Sequence, residues 1–203
     1  MTTSNDRELK PTAEAEALYR RWLAHLNEEF TRGQSVDRRS EIVRDELHQV
    51  YLGRPHGGRM NVSLSSELAT NVIAESLDPR NVTLRSEYHS GLDAEKFAPR
   101  KPLIWFWQMF DRSALGSNLW LGLRFRCMLG HHIFAGLGKS VKIHRDVEFT
   151  FGYNLTIEDN CRIHRGSYLD DVEAMTLKEG TEIAEGQRVG PDGSAALSDK
   201  LKG

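Results

Sequence analysis

Residues 157–194 read IEDNCR, IHRGSY, LDDVEA, then Met175 and Thr176, then LKEGTE, IAEGQR and VGPDGS. The residue opening each six is aliphatic: Ile157, Ile163, Leu169, Leu177, Ile183 and Val189. A period of six fits neither the 3.6-residue helix nor simple two-residue alternation, so it points to a repeat whose unit is one short strand and a corner. Gly166, Gly180, Gly186, Gly190 and Gly193 supply residues that take up tight bends at no steric cost. Met175 and Thr176 read as a two-residue slip between sixes. Ordinary hairpins would leave the six aliphatic openings as a coincidence of spacing.

Upstream of the sixes, residues 138–171 read GKSVKIHRDVEFTFGYNLTIEDNCRIHRGSYLDD. They contain a G-x-x-V-x-I lead-in, an aromatic turn (Phe149, Thr150, Phe151, Gly152, Tyr153, Asn154), and the pair Asp170-Asp171. This combination resembles the hexapeptide-repeat acyltransferases, nearest the maltose and galactoside O-acetyltransferase branch. The resemblance implies an α+β chain in which an N-terminal helical region precedes a short left-handed parallel β-helix of about two to three coils. The expected divisions are a helical region and cap over 1–137, the repeat over 138–194 and a polar tail over 195–203. The family continues for several further coils, so the likeness is to a shortened relative.

The chain has 203 residues, room for a helical part and a repeat part around a sizeable core. Lys and Arg number 27 against 29 Asp and Glu, and no basic block suits a nucleic-acid backbone. No run approaches the roughly 18 apolar residues of a membrane span, and the charged start lacks an apolar signal core. A cytoplasmic location is expected, with no membrane partner. Cys127 and Cys161 cannot build a disulfide framework, neither has a Cys neighbour at metal-ligand spacing, and both read as reduced packing residues.

Ala15, Leu18, Tyr19, Trp22, Leu23, Leu26 and Phe30 recur at helical spacing between Thr12 and Gly33. A second stripe of Ile42, Val43, Leu47, Val50 and Tyr51 predicts a helix over Val36 to Leu52, paired with the first as a hairpin. Leu64, Leu68, Val72 and Ile73 suit a third helix starting near Ser65 or Ser66. His25 and His48 lie beside the stripes and read as solvated or packed residues. The aromatic run Leu103 to Phe110 reads as an apolar cap on the repeat, against the alternative of a membrane or partner face built on Trp105, Trp107 and Trp120. A helix follows over about Ser117 to Leu129. Gly136 to Ser140 resembles the end of a phosphate-binding loop, but its first glycine is replaced by Ile133.

The resemblance implies a reaction in which a sugar-like hydroxyl attacks the thioester of acetyl-CoA, used as co-substrate without a metal, at a cleft between subunits of a trimer. A hydroxyl needs a base to take its proton, and histidine titrates near neutral pH. The family's catalytic histidine position reads Ser194 here, and no histidine follows His164. His164 is therefore the candidate base, with Asp170 or Asp171 as its orienter. Asp170, Asp171 and Thr150 are the candidate acceptor-binding residues; the competing reading makes His164 and the aspartates solvent-facing corner residues. An acyltransferase and a non-catalytic relative acting as a binding or scaffold protein are the two functions that follow.

Overall fold

The structure is a computed structural model that describes residues 10–57, 68–191 and 195–196. The Ser65 and Ser66 starts expected for the third helix, Gly193, and Ser194 lie outside the described residues.

Helix α1 (Ala13–Arg32) starts where the Thr12 hydroxyl accepts the Ala15 N–H and stops at Gly33. Helix α2 (Val36–Leu52) is capped by Ser35 and ends at Gly53 in the left-handed conformation. The expected hairpin gives way to a different packing: α1 lies on α6 (Leu119–Ile133) and α2 on α5 (Lys101–Arg112). The hydrogen bond from Trp22 Nε1 to Glu46, 2.9 Å, still ties α1 to α2. Between α2 and α5 come α3 (Leu68–Ser76), two short 3-10 turns (Pro79–Asn81 and Arg85–Tyr88) and the single turn α4 (Ala94–Phe97). His25 is exposed, and buried His48 places Nε2 3.3 Å from the Ala74 carbonyl.

The aromatic run forms α5, with Pro102 in its first turn, where a missing N–H costs nothing. Leu103, Ile104, Phe106, Trp107 and Phe110 are buried on it, and Trp120 is buried on α6. Trp107 Nε1 donates to the Val147 carbonyl at 3.1 Å, so Trp107 is turned onto the repeat, while Trp105 stays half-buried. Burial of each such side chain contributes roughly 1.5–3 kcal/mol. A buried ion pair completes the junction. Arg126 of α6 donates through Nε to Asp111 at 2.8 Å and through Nη2 to the same oxygen and to Gly116 O. The other Asp111 oxygen accepts the Asp146 N–H at 2.9 Å, joining α5 and α6 to the first coil. One continuous cluster of buried side chains runs from Leu23 through the helices to Val189.

The second half is three parallel sheets visited in rotation. Strands β1 (Gly136–Leu137), β4 (Leu155–Ile157) and β7 (Met175–Leu177) form the first, and β2 (Lys142–Ile143), β5 (Arg162–Ile163) and β8 (Glu182–Ile183) the second. Strands β3 (Glu148–Phe149), β6 (Tyr168–Leu169) and β9 (Arg188–Val189) form the third, where β10 (Ala195–Ala196) adds antiparallel to β9. Every parallel pair is offset by 20 residues: Ile143 beside Ile163 beside Ile183, Phe149 beside Leu169 beside Val189, Leu137 beside Ile157 beside Leu177. All six residues that open the sixes are buried, as is Cys161.

The two residues beyond three sixes do not form a slip. Met175 and Thr176 are strand residues paired with Leu155 and Thr156, and the extra length lies in the corner after β6, matching the aromatic turn after β3. Corners stack as the strands do. Ser140, Asn160 and Gly180 all have positive φ, as do Asp146, Gly166 and Gly186. The Gly136 to Ser140 segment is thus a strand and its corner, with Lys139 N–H donating to Asp159, and not a phosphate loop.

Candidate functional site

A cleft of about 840 Å³ opens over the third sheet. Its floor is the outward ladder Glu148, Tyr168 and Arg188, brought together because residues 20 apart stack. One wall is the segment from Thr83 to His89 and the other is Ile104, Trp105, Gln108 and Arg112 of α5. The first wall is pinned by buried Leu84, by the Ser86 hydroxyl donating to the Thr150 carbonyl, and by Lys101 pairing with Glu87 at 2.9 Å.

Thr150 and Asp170 both line this cleft, one coil apart. Thr150 Oγ1 donates its single proton to Asp170 Oδ1 at 2.9 Å, so the Tyr168 hydroxyl, 2.8 Å from the same oxygen, is the donor to Thr150. Arg188 closes the chain by donating to Asp170 Oδ2 at 2.5 Å, while its guanidinium lies 4.4 Å from the Tyr168 ring centre. Partial burial works against the Asp170 charge, but the hydrogen bonds from Arg188 and Thr150 outweigh it and hold the carboxyl below its ordinary range. Asp170 is therefore an ionised anchor and a weak base.

Asp171 points the other way. It is fully buried, its Oδ1 accepts the Phe151 N–H at 2.8 Å, and Asn154 Nδ2 donates to its carbonyl. Burial pushes its carboxyl above the ordinary range, against the opposing pull of the backbone N–H donors. Its observed work is to lock the aromatic turn of the coil before it.

The expected partnership of His164 with Asp170 or Asp171 is not made. His164 follows β5 in the second sheet, where Nε2 lies 2.7 Å from Glu182 and the ring stacks on His144 at 5.1 Å. Both aspartates are engaged elsewhere, and His164 is absent from the cleft lining. Glu182 holds the imidazole in the way a carboxylate orients a base.

His89 lines the cleft in its place. Its Nδ1 accepts the Gly91 N–H at 3.2 Å, which leaves the neutral ring's proton on Nε2 and makes this histidine a hydrogen-bond donor. Sequence reasoning did not find His89, Tyr168, Arg188, Arg85 or Arg112. The 20-residue stacking was the available signal for Tyr168 and Arg188; the others come from segments without a repeat.

Among the described residues, no cluster of three or more His, Cys, Asp or Glu is placed to hold a metal ion, and no helix is long and apolar enough to cross a membrane. Comparison with protein-family models, curated proteins and solved structures returned no match.

Proposed function

We propose that this chain is a hexapeptide-repeat acyltransferase that moves an acetyl group from acetyl-CoA to a hydroxyl of a small, sugar-like acceptor bound in the cleft over the third sheet. The observation that carries this reading is the convergence of Thr150 and Asp170 on one cleft, held rigid by Tyr168 and Arg188. Asp170 belongs to the pair that matches the paired Asp of the family the sequence resembles, and Thr150 to its aromatic turn. Three parallel sheets wound with a constant 20-residue step support the same reading, with the left-handed β-helix as their proposed identity.

In this reaction the acceptor oxygen attacks the thioester carbonyl carbon, its proton passes to a base, and the tetrahedral oxyanion collapses with loss of the CoA thiolate, which is then protonated. His164 donating Nε2–H to Glu182 keeps Nδ1 free to take the acceptor's proton. Since His164 stands outside its own chain's cleft, a trimer in which the second sheet of one copy faces the third-sheet cleft of the next brings base and acceptor together.

The test is calorimetric titration with acetyl-CoA followed by single-turnover assays with hydroxylated acceptors. Saturable micromolar binding, and turnover reduced about 100-fold or more in His164→Ala, is expected. Turnover unchanged in His164→Ala removes His164 as the base. The presence of Ser194 at the family's histidine position favours a second reading, a cleft that binds the same ligands without chemistry. Acceptor binding with no acetyl transfer selects it.

A further inference from the structure

Resting on the acceptor cleft proposed above, we infer that its ligand is a hydroxylated oxyanion, a small polyol carrying a phosphate or carboxylate, with the anionic group held by Arg85 and Arg112. Three arginines line the cleft, Arg85, Arg112 and Arg188, against two carboxylates, Glu148 and Asp170. The charges of Arg188 and Asp170 are spent on each other at 2.5 Å. What remains is Arg85, Arg112 and Glu148.

The two remaining arginines come from opposite walls, Arg85 from the 83–89 segment and Arg112 from the last turn of α5. Neither is engaged by a carboxylate among the described residues. Arg85 lies 5.8 Å from the Tyr168 ring centre, and Arg112 reaches only the Met109 sulfur, at 3.9 Å. A guanidinium offers a planar fork of donors that fits the paired oxygens of a phosphate or carboxylate, and two such forks facing one cleft leave a cationic subsite. Nearby, Glu148 can only accept hydrogen bonds when ionised, while His89 Nε2 donates one. An acceptor and a donor of this kind suit hydroxyl groups. The cleft therefore combines cationic donors for an oxyanion with partners for hydroxyl groups, and the exposed ring of Tyr88 in its lining offers an apolar surface for a sugar face.

The probes are glucose 6-phosphate, glucuronate, glucose and inorganic phosphate, titrated calorimetrically into the full chain without acetyl-CoA, so that the outcome does not depend on acetyl transfer. The charged sugars are expected to bind at least about tenfold more tightly than glucose, and the better of the two identifies the oxyanion. Inorganic phosphate, lacking the sugar hydroxyls, binds more weakly than glucose 6-phosphate. Arg85→Gln and Arg112→Gln are each expected to weaken the charged ligand about tenfold to a hundredfold. Both weaken glucose less than the charged ligand and leave the melting temperature unchanged, and Arg112→Lys keeps part of the preference. Equal affinity for charged and neutral sugars, or a preference that survives Arg85→Gln/Arg112→Gln in a folded protein, overturns the inference. If the charged sugar binds as expected but no acetyl transfer is found, the catalytic reading fails and this one stands.

Discussion

The second and third sheets follow the same 20-residue step, yet they end as different surfaces. On the second sheet the outward ladder Lys142, Arg162 and Glu182 is exposed, and the histidines that follow stack in the open corner. On the third sheet the 83–89 segment and α5 rise beside the ladder: Glu148 and Arg188 stay exposed, but Tyr168 and Asp170 are half-buried and Thr150 is buried. The repeat decides which side chains stand above one another. Chain outside the repeat decides which stack becomes a site.

The sharpest way to break this contrast is to detach the helices from the coil. Asp111→Ala leaves Arg126 buried without its carboxylate and is expected to cost about 3–5 kcal/mol, measured by urea unfolding, with loss of ligand binding in the cleft. A loss below about 1 kcal/mol would mean that the ion pair does not seat the helices. Smaller in effect, and sharper in logic, is the pair Asp170 and Asp171. The folded carboxyl of Asp170 is held below its unfolded value of about 3.9, so its stabilisation is present above that pH and lost as the pH falls through the folded value. The Asp171 carboxyl is raised, so its contribution is full below about 3.9 and lost as the pH rises through the folded value. Relative to the unsubstituted protein, Asp170→Asn should therefore be least stable near neutral pH. Asp171→Asn should gain as the pH rises from about 4 through the folded value of Asp171. Curves of the same sign for the two variants would contradict the inward and outward assignment.

The smallest effect belongs to the open corner. Burial, and then the neighbouring His164 charge, lower the affinity of His144 for a proton, so its neutral form supports the fold above about pH 6.5 and that support fades as the pH falls through the folded value. His144→Gln should change stability by about 0.5 kcal/mol or less at pH 7.5. An imidazole titration by nuclear magnetic resonance should find His144 below its ordinary value. A midpoint above it would show that the ring is not desolvated.

Much of the three-sheet repeat was legible because its aliphatic openings have one job, filling the buried interior. Gly166, Gly180 and Gly186 announced their corners, whereas Ser140, Asp146 and Asn160 adopt the same left-handed angles without a residue type that signals it. The two extra residues were legible as a count but not as a place. Only the pairing of Met175 with Leu155 shows that they belong to the corner after β6. Helix α5 was hidden because an aromatic run has weak helical preference and its spacing is masked when nearly every position is apolar. Thr150 and Asp170 were singled out through a motif, and the structure brings both to one cleft. The walls of their cleft were not, since nothing local in residues 83–89 specifies that Ser86 should meet Thr150.

The constant step also makes the coil a cassette. Excising 20 consecutive residues, such as 158–177, joins Ile157 to Lys178, the residue that follows its own stacking partner Leu177, so every later strand keeps its sheet and its facing. Removing 18, the length of three plain sixes, instead shifts each downstream residue two places along the ladder, so this repeat can be shortened only in whole turns.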